Sequence, residues 1–296
     1  MNINTDIIKI EAIIVIYNKE IEMSVTYNDI SNIKDENIEV CIIDNSTEKN
    51  NNLLYCNKNK IKYFSMNGNK GLSKAYNKAI DNLGDSDVVV LFDDDTEINK
   101  KYFKELRNCV INYPNVDIFA PIVYGQNGVI YSPNEYHFFK NKLVLNKDKT
   151  KRSIKNFNAI ASCLAIRREV FNNYRFNEKL FVDQIDQFFC YEQRKKGKRF
   201  AIINVDINQN FSQREKNLSD IVAWKRLKIR IRDIIMQSEL MGKGLYSIIA
   251  VVKCIGLGIQ IGIYTKSKMI VKKAVSLTFK IVFNKKKYLN IIDDKE

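Results

Sequence analysis

Apolar residues in this chain fall into short continuous runs broken by polar, turn-forming stretches, and the runs alternate with segments of helical spacing. Ile7 to Tyr17 (IIKIEAIIVIY) is rich in β-branched residues and predicts a first central strand, ended by Asn18. Lys19 to Ile33 predicts a helix, and Ile38 to Ile43 a second strand closing in Asp44-Asn45-Ser46-Thr47. Ile61 to Ser65 is a third strand, followed by the loop Asn67-Gly68-Asn69-Lys70-Gly71. Ser73 to Leu83 then places Ala75, Tyr76, Ala79, Ile80 and Leu83 on one apolar face of a helix. A fourth strand, Asp87 to Phe92, runs into Asp93-Asp94-Asp95-Thr96, and a helical pattern starts near Asn99. Strands alternating with helices at this spacing predict a largely parallel sheet covered by helices on both faces.

The second half is less regular. Asp117 to Tyr124, Asn158 to Ile166 and Arg199 to Val205 predict strands, and Asp183 to Lys196 a helix. Gly125 to Leu145 mixes aromatics with turn signals, as in a hairpin or mobile loop. From Ser219 onward the pattern becomes helical and basic. Ile221, Trp224, Leu227, Ile231, Ile234 and Ile235 share one face, with Lys and Arg around the rest. Gly244 to Tyr264 is apolar and long enough to span a bilayer. Lys253 near its centre and its glycines instead favour helices lying in the membrane interface, and packing on the preceding α/β domain is the plainer alternative. The expected division is a domain over 1–216 and a basic amphipathic helical segment over 217–296.

Charge sharpens that division. The chain carries a net +14, and Asn217 to Glu296 alone holds 16 Lys and Arg against 6 Asp and Glu, a net +10. An anionic surface is the partner this suggests, either membrane or nucleic acid. The basic residues lie among apolar helical faces rather than beside aromatic platforms, which favours an anionic membrane surface and no nucleic acid. Six scattered Cys without a C-x-x-C pair read as reduced thiols in a cytosolic protein, and the amino terminus has no signal-peptide layout. A single His, His137, argues against a His-based zinc site.

Three consecutive carboxylates at the end of a buried strand repel one another unless a cation compensates them. With oxygen ligands that cation is Mg or Mn, and ligand sites in open α/β sheets lie at this end of the strands. The same triplet also suits a solvated acidic turn capping the next helix. The Gly71 stretch lets backbone approach a ligand closely, and the following helix offers free N–H groups to phosphate. A carboxylate at Asp44 can accept the N3–H of a uracil or thymine ring, although Asp44-Asn45-Ser46 taken alone is an ordinary turn.

In order, Tyr17-Asn18, Asp44-Asn45-Ser46, Asn69-x-Gly71-x-x-x-Ala75-x-Asn77, Asp93-Asp94-Asp95 and Phe181-Val182-Asp183-Gln184-Ile185-Asp186 resemble the inverting family 2 glycosyltransferases, rhamnosyltransferase-like branch. The likeness runs from about Ile10 to Ser212. It implies the GT-A fold, an α/β architecture with a Rossmann-like, mostly parallel sheet. It implies a UDP- or dTDP-sugar donor held by Tyr17, Asn18, Asp44, Asn69, Gly71, Asn77, Asp93 and Asp94. By the same resemblance Asp93 and Asp95 hold Mg or Mn, and Asp186 is the catalytic base. Asp183 is a supporting partner or a helix cap. The basic tail resembles the membrane-associating tails of that branch. It places the enzyme in the cytoplasm, peripheral on the inner face of a bacterial cell membrane. There it would act on a lipid-linked glycan acceptor for surface polysaccharide, with homo-oligomerisation left open.

One departure stands out. Where family members often carry a His after the last strand, this chain has Gln209-Asn210-Phe211-Ser212. Of the competing functions, a haloacid-dehalogenase-type phosphoryl transfer enzyme needs Asp-x-Asp-x-Thr, and Thr96 comes one place too early for it. A basic nucleic-acid-binding protein is the third reading, suggested by charge alone.

Overall fold

The computed structural model describes residues 8–125, 128–137, 141–143, 156–209, 219–242 and 244–284. The chain divides into two compact units. The first comprises Met1–Tyr136, Asn141–Asn177 and Asp186–Phe211, the second His137–Lys140, Glu178–Ile185 and Ser212–Glu296. The second unit therefore takes in Glu178–Ile185 along with the carboxyl-terminal helices, a grouping that linear sequence does not suggest.

The first unit is built on a mostly parallel sheet. Its strands are β1 (Ile10–Ile16), β2 (Ile38–Asp44), β3 (Lys62–Ser65), β4 (Val88–Asp93), β5 (Ile118–Tyr124), β6 (Ile130–Ser132), β10 (Leu164–Arg167) and β11 (Phe200–Asn208). The order across the sheet is β11-β5-β10-β4-β1-β2-β3, with β6 paired to β5. β1 lies parallel to both β2 and β4, and β2 to β3. β10 runs antiparallel between β4 and β5. Three short strands, β7 (Asn134–Glu135), β8 (Lys142–Leu143) and β9 (Phe157–Asn158), form a separate small sheet.

Alternation along the strands fills both faces. Ile10, Ala12, Ile14 and Ile16 of β1 share a core with Val88, Val90 and Phe92 of β4. Onto that face pack Tyr27 and Ile30 of α1 (Val25–Ile33), Cys56 of α2 (Asn52–Lys58), and Tyr102, Phe103 and Leu106 of α4 (Lys100–Asn112). Residues of the other parity, such as Ile13, Ile43 and Leu91, are equally buried and face the opposite side. α3 (Leu72–Ile80) lies against β1 and β2 and buries Ala75, Tyr76, Ala79 and Ile80. Carboxyl ends of β1, β2, β3 and β4 consequently line up at one edge, with Ile16 opposite Asp44 and Val15 opposite Asp93.

Several expected elements differ in detail. The helix expected over Lys19–Ile33 is a 3-10 turn at Ile21–Met23 followed by α1, because Ser24 caps the helix with its Oγ, which accepts from Tyr27 N at 3.1 Å. The run Asn158–Ile166 is not one strand. It breaks between β9 and β10 at a turn closed by Leu164 N donating to Ala161 O, with Cys163 at φ +62°. α2 was not expected at all. β11 continues beyond Val205 to Asn208. Of the Gly125–Leu145 stretch, residues 126–127, 138–140 and 144–145 lie outside the described residues; the remainder contains β6, β7 and β8.

In the second unit, α6 (Asp220–Leu240), α7 (Leu245–Tyr264) and α8 (Lys268–Phe283) pack together. α7 meets α8 through Gly258 against Ala274 and Gly262 against Val271, where any added Cβ would collide. Leu227, Ile231, Ile234 and Ile235 of the expected α6 stripe are buried, whereas Ile221 is exposed.

Candidate functional site

The acidic turn after β4 is held from beneath by the first turn of α1. Ser24 Oγ donates to Asp94 O at 2.9 Å, and Thr26 Oγ1 accepts from Thr96 N at 2.9 Å and lies 2.7 Å from Asp93 O. Thr96 Oγ1 is 2.8 Å from Ser162 Oγ. With its backbone tied so closely, the turn presents three carboxylates in fixed directions. Each has a different environment.

Asp94 faces a cation: Lys19 Nζ is 2.9 Å from its Oδ2. Asp93 accepts from Gln209 Nε2 at 2.8 Å. Burial, then the charges of Asp95, Asp94 and Asp186, pushes Asp93 up to about 6 against the pull of the Gln209 amide. Asp95 is raised too, by burial first and Asp94 second, with Lys19 opposing. Its Oδ1 is buried without a hydrogen-bond partner, and so is Gln209 Oε1. Gln209 itself is fixed at the end of β11 by its N–H to Tyr124 O at 2.9 Å and by a bridge to Thr96.

Buried carboxylates, raised first by burial and then by mutual repulsion, make with two orphaned oxygens an oxygen-lined locus that a hard divalent cation would satisfy. Among the described residues no group of three or more His, Cys, Asp or Glu forms a ready-made metal cage. The described residues of the turn thus supply oxygens for only part of a coordination shell.

Asp186 stands in the first turn of α5 (Ile185–Lys195), half-buried, with its Oδ1 accepting from Gln187 N at 2.7 Å. Its charge acts on both Asp93 and Tyr76. Tyr76, fully buried on α3, has a hydroxyl without a hydrogen-bond partner. Its pKa lies well above the ordinary value, through burial first and then the charges of Asp93 and Asp186. Asp93, Asp186 and Tyr76 thus gather in one part of the first unit, although they come from three distant parts of the sequence.

Asp44 ends β2 and is almost fully buried. Its Oδ2 accepts from Asn50 Nδ2 at 2.9 Å, Asn52 Nδ2 at 3.0 Å and Tyr63 Oη at 3.0 Å. Its Oδ1 accepts from Ser46 N at 3.0 Å. Burial works to raise its pKa, but the bonds from Ser46, Asn52 and Asn50 together outweigh that and lower it. Asn18, at φ +47°, ties the end of β1 to the same turn, donating its N–H to Ser46 Oγ at 2.8 Å and accepting from Thr47 N at 2.8 Å. Tyr17 beside it is half exposed.

Asn69 accepts from Gly71 N at 3.2 Å and Asn45 Nδ2 at 3.1 Å, clipping the glycine loop to β2. Gly71, at φ +90°, is the residue before α3 and adopts a conformation that a side chain would strain. Asn77 exchanges two bonds with Phe176, its Nδ2 donating to O at 2.9 Å and its Oδ1 accepting from N at 2.8 Å. Its amide is committed to holding the backbone at Phe176. Asp183 belongs to the second unit, where Arg226 Nη1 lies 3.0 Å from its Oδ2. Sequence reading did not single out Lys19, Tyr76 or the Asn50, Asn52 and Tyr63 shell. The Asn-rich run just after Asp44 is the signal in the sequence that could have found that shell.

Solved structures of the same architecture are glycosyltransferases of the GT-A fold. TarS residues 1–349 from S. aureus superposes with a TM-score of 0.52 at 15% identity, covering 96% of this chain and 83% of that one. A Pyrobaculum calidifontis mannosyltransferase in complex with GDP-Man and Mn2+ gives 0.55 at 13% identity, covering 97% and 88%. GalNAc-T7 with UDP, GalNAc and Mn2+ gives 0.57 at 12% identity, covering 94% and 58%. The fold is therefore GT-A. Within it the chain belongs to glycosyl transferase family 2, whose profile matches residues 11–175. A dTDP-rhamnosyl transferase, RfbF of Shigella flexneri, is 25% identical over 187 residues, which is 61% of this chain and 62% of that protein.

Proposed function

We propose that the protein is an inverting glycosyltransferase that moves a sugar from a UDP- or dTDP-linked donor to a lipid-linked saccharide, with dTDP-rhamnose the first donor to test. The observation that carries this reading is the convergence of Asp93, Asp95, Gln209 and Asp186 at the carboxyl ends of the sheet, with buried oxygens awaiting a partner. Family membership, the rhamnosyl transferase relative, and neighbours crystallised with Mn2+ and nucleotide ligands support it.

In this reading Asp93 and Asp95 hold Mg or Mn, with Gln209 orienting Asp93. When bound, the metal neutralises charge that grows on the departing diphosphate. Asp44, held in place by Ser46, Asn50, Asn52 and Tyr63, would accept the N3–H of a pyrimidine base. Tyr17, Asn18, Asn69 and Gly71 shape the walls for the nucleotide, and Asn77 supports them through Phe176. Asp94, paired with Lys19, keeps the turn in register. Asp186 takes the proton from the acceptor hydroxyl as it attacks the anomeric carbon from the face opposite the diphosphate. A nucleoside diphosphate is a good leaving group, so the protein needs no general acid. A melting panel tests the assignment. dTDP- or UDP-sugars should raise the melting temperature when Mn2+ is present, by mass action. No shift with any of them would sink it.

The same reading places the protein on an anionic membrane. α7 exposes Leu245, Ile248, Val252, Ile259 and Ile263 along one side, while Ala250, Cys254, Gly258 and Gly262 are buried. α8 exposes Met269, Phe279 and Phe283 among Lys268, Lys272, Lys273 and Lys280. α7 is long and apolar enough to cross a bilayer by length and composition. Having one side packed and one side bare suits a helix lying in the interface better. Ile248→Glu combined with Ile259→Glu should reduce pelleting with phosphatidylglycerol-containing liposomes at least tenfold, since each buried aliphatic side chain contributes about 1.5–3 kcal/mol. Undiminished pelleting of that folded double variant would move the contact elsewhere.

A further inference from the structure

The second unit holds a carboxylate that neither the donor site nor the membrane reading uses. Asp233 lies on α6 and is fully buried. Its Oδ1 and Oδ2 each accept from Phe181 N at 3.1 Å, and its Oδ2 also accepts from Val182 N at 2.9 Å and Asp183 N at 2.8 Å. Arg232 Nη1 donates to its Oδ1 at 2.6 Å. Three successive backbone N–H groups thus converge on one anion, the kind of concavity by which backbone amides bind negative charge.

We propose that Asp233 is the positioning residue for Asp186: by gathering the amides of Phe181, Val182 and Asp183 it fixes the stretch of chain from which α5, with Asp186 in its first turn, begins. The proposal rests on the reading of Asp186 as the base.

The tether is short. Only Gln184 and Ile185 separate the last clamped amide from Asp186, and Gln184 is itself in the left-handed region at φ +66°. Asp183, inside the clamp, is tied again to α6 by Arg226, whose Nη1 and Nη2 lie 3.0 and 3.1 Å from its carboxylate oxygens. The backbone and an adjoining side chain are therefore both anchored to one helix, by groups of opposite charge. A buried carboxylate is costly unless its lone pairs are satisfied. Burial does push Asp233 up, to about 6, against the bonds from Val182 and Phe181 and the charge of Arg232. A helix that served only as a membrane anchor would have no use for such a group.

The test uses the full chain and Asp233→Asn, which keeps the shape and removes the charge. Three quantities are read: deuterium exchange of the amides of 181–187, nucleoside diphosphate release from dTDP-rhamnose with Mn2+ and water as acceptor, and Mn2+–dTDP affinity. Exchange in that stretch should speed up at least tenfold. Turnover should fall about 10- to 100-fold, the scale of an ångström's misplacement of a reacting group. KM and nucleotide affinity should not move. Should the Asn variant fail to fold, Asp233→Glu keeps the charge and shifts it by one methylene. It should show the same split between kcat and KM with a smaller loss. Wild-type exchange and turnover in a folded variant, beside an inactive Asp186→Asn, overturns the proposal alone. So does a loss of nucleotide affinity in step with a lowered melting temperature, which would make Asp233 merely structural. If Asp186→Asn turns over normally, the base reading itself has failed, and the proposal falls with it.

Discussion

Replacing Asp186 by Asn lowers sugar transfer by about 10²–10⁴-fold, the usual contribution of a positioned general base, and leaves donor affinity unchanged. The substitution keeps the size of the side chain and one acceptor oxygen, so the bond from Gln187 N to Oδ1 can persist. What it removes is the site for the acceptor's proton. Asp183→Asn is the informative companion. Asp183 sits three residues earlier and is paired with Arg226, so its loss should slow transfer only as far as α5 shifts. Titration calorimetry with Mn2+ and nucleotide, run beside the transfer assay, separates the two effects. Normal transfer by Asp186→Asn with a crippled Asp183→Asn would exchange their roles.

The second large effect is at Asp95. Asp95→Ala abolishes Mn2+-dependent nucleotide binding, because it removes the carboxylate of the acidic turn whose buried oxygen has no hydrogen-bond partner. The same change relieves repulsion in the turn, so the metal-free variant melts at a higher temperature than the metal-free parent. Loss of ligand binding with gain of stability is a combination that simple misfolding does not produce. A pH dependence follows from Asp93. Its value of about 6 lies above the ordinary 3.8, so in the metal-free protein the folded state binds more protons than the unfolded one between those values. Metal-free stability therefore rises as pH falls through that window. Mn2+ must displace the same proton, so its affinity is full above about 6 and declines as pH falls below it. Calorimetry at a series of pH values checks both signs, and a metal affinity flat from neutral to mildly acid pH would count against Asp93 as a ligand.

Much of the sheet was legible because its strands are buried on both faces and therefore read as unbroken apolar runs. Ile10–Ile16 and Val88–Asp93 are close to this kind, and so is the Cys41–Ile43 half of Ile38–Asp44. α2 was not legible, since its Asn-rich sequence has low helix propensity and buries little beyond Asn52 and Cys56. Asn158–Ile166 misled because small apolar residues support a strand or a turn equally well, and the turn closed by Leu164 N on Ala161 O, with Cys163 at positive φ, breaks the run. The acidic triplet and Asp186 could be picked out by order along the chain. Gln209 could be noticed as a departure but not as a partner of Asp93, which lies more than a hundred residues away. Tyr76 read as an ordinary core residue of α3, and only the fold brings it near Asp93 and Asp186. Asp233 was hidden for a different reason. An acid that follows a Lys- and Arg-rich stretch of helix looks like a solvated surface charge, and nothing in the spacing reveals that it is buried against Phe181–Asp183.

The central claim is that this chain grips a pyrimidine nucleotide through a divalent metal at the end of β4. Calorimetric titration of the full-length protein with dTDP and with UDP, each with and without Mn2+, tests it most directly. One of the two should bind with micromolar-range affinity when Mn2+ is present, weaken at least tenfold without it, and fail to bind Asp95→Ala under either condition. Binding that ignores Mn2+ and survives Asp95→Ala would contradict the account, as would the absence of binding by either nucleotide.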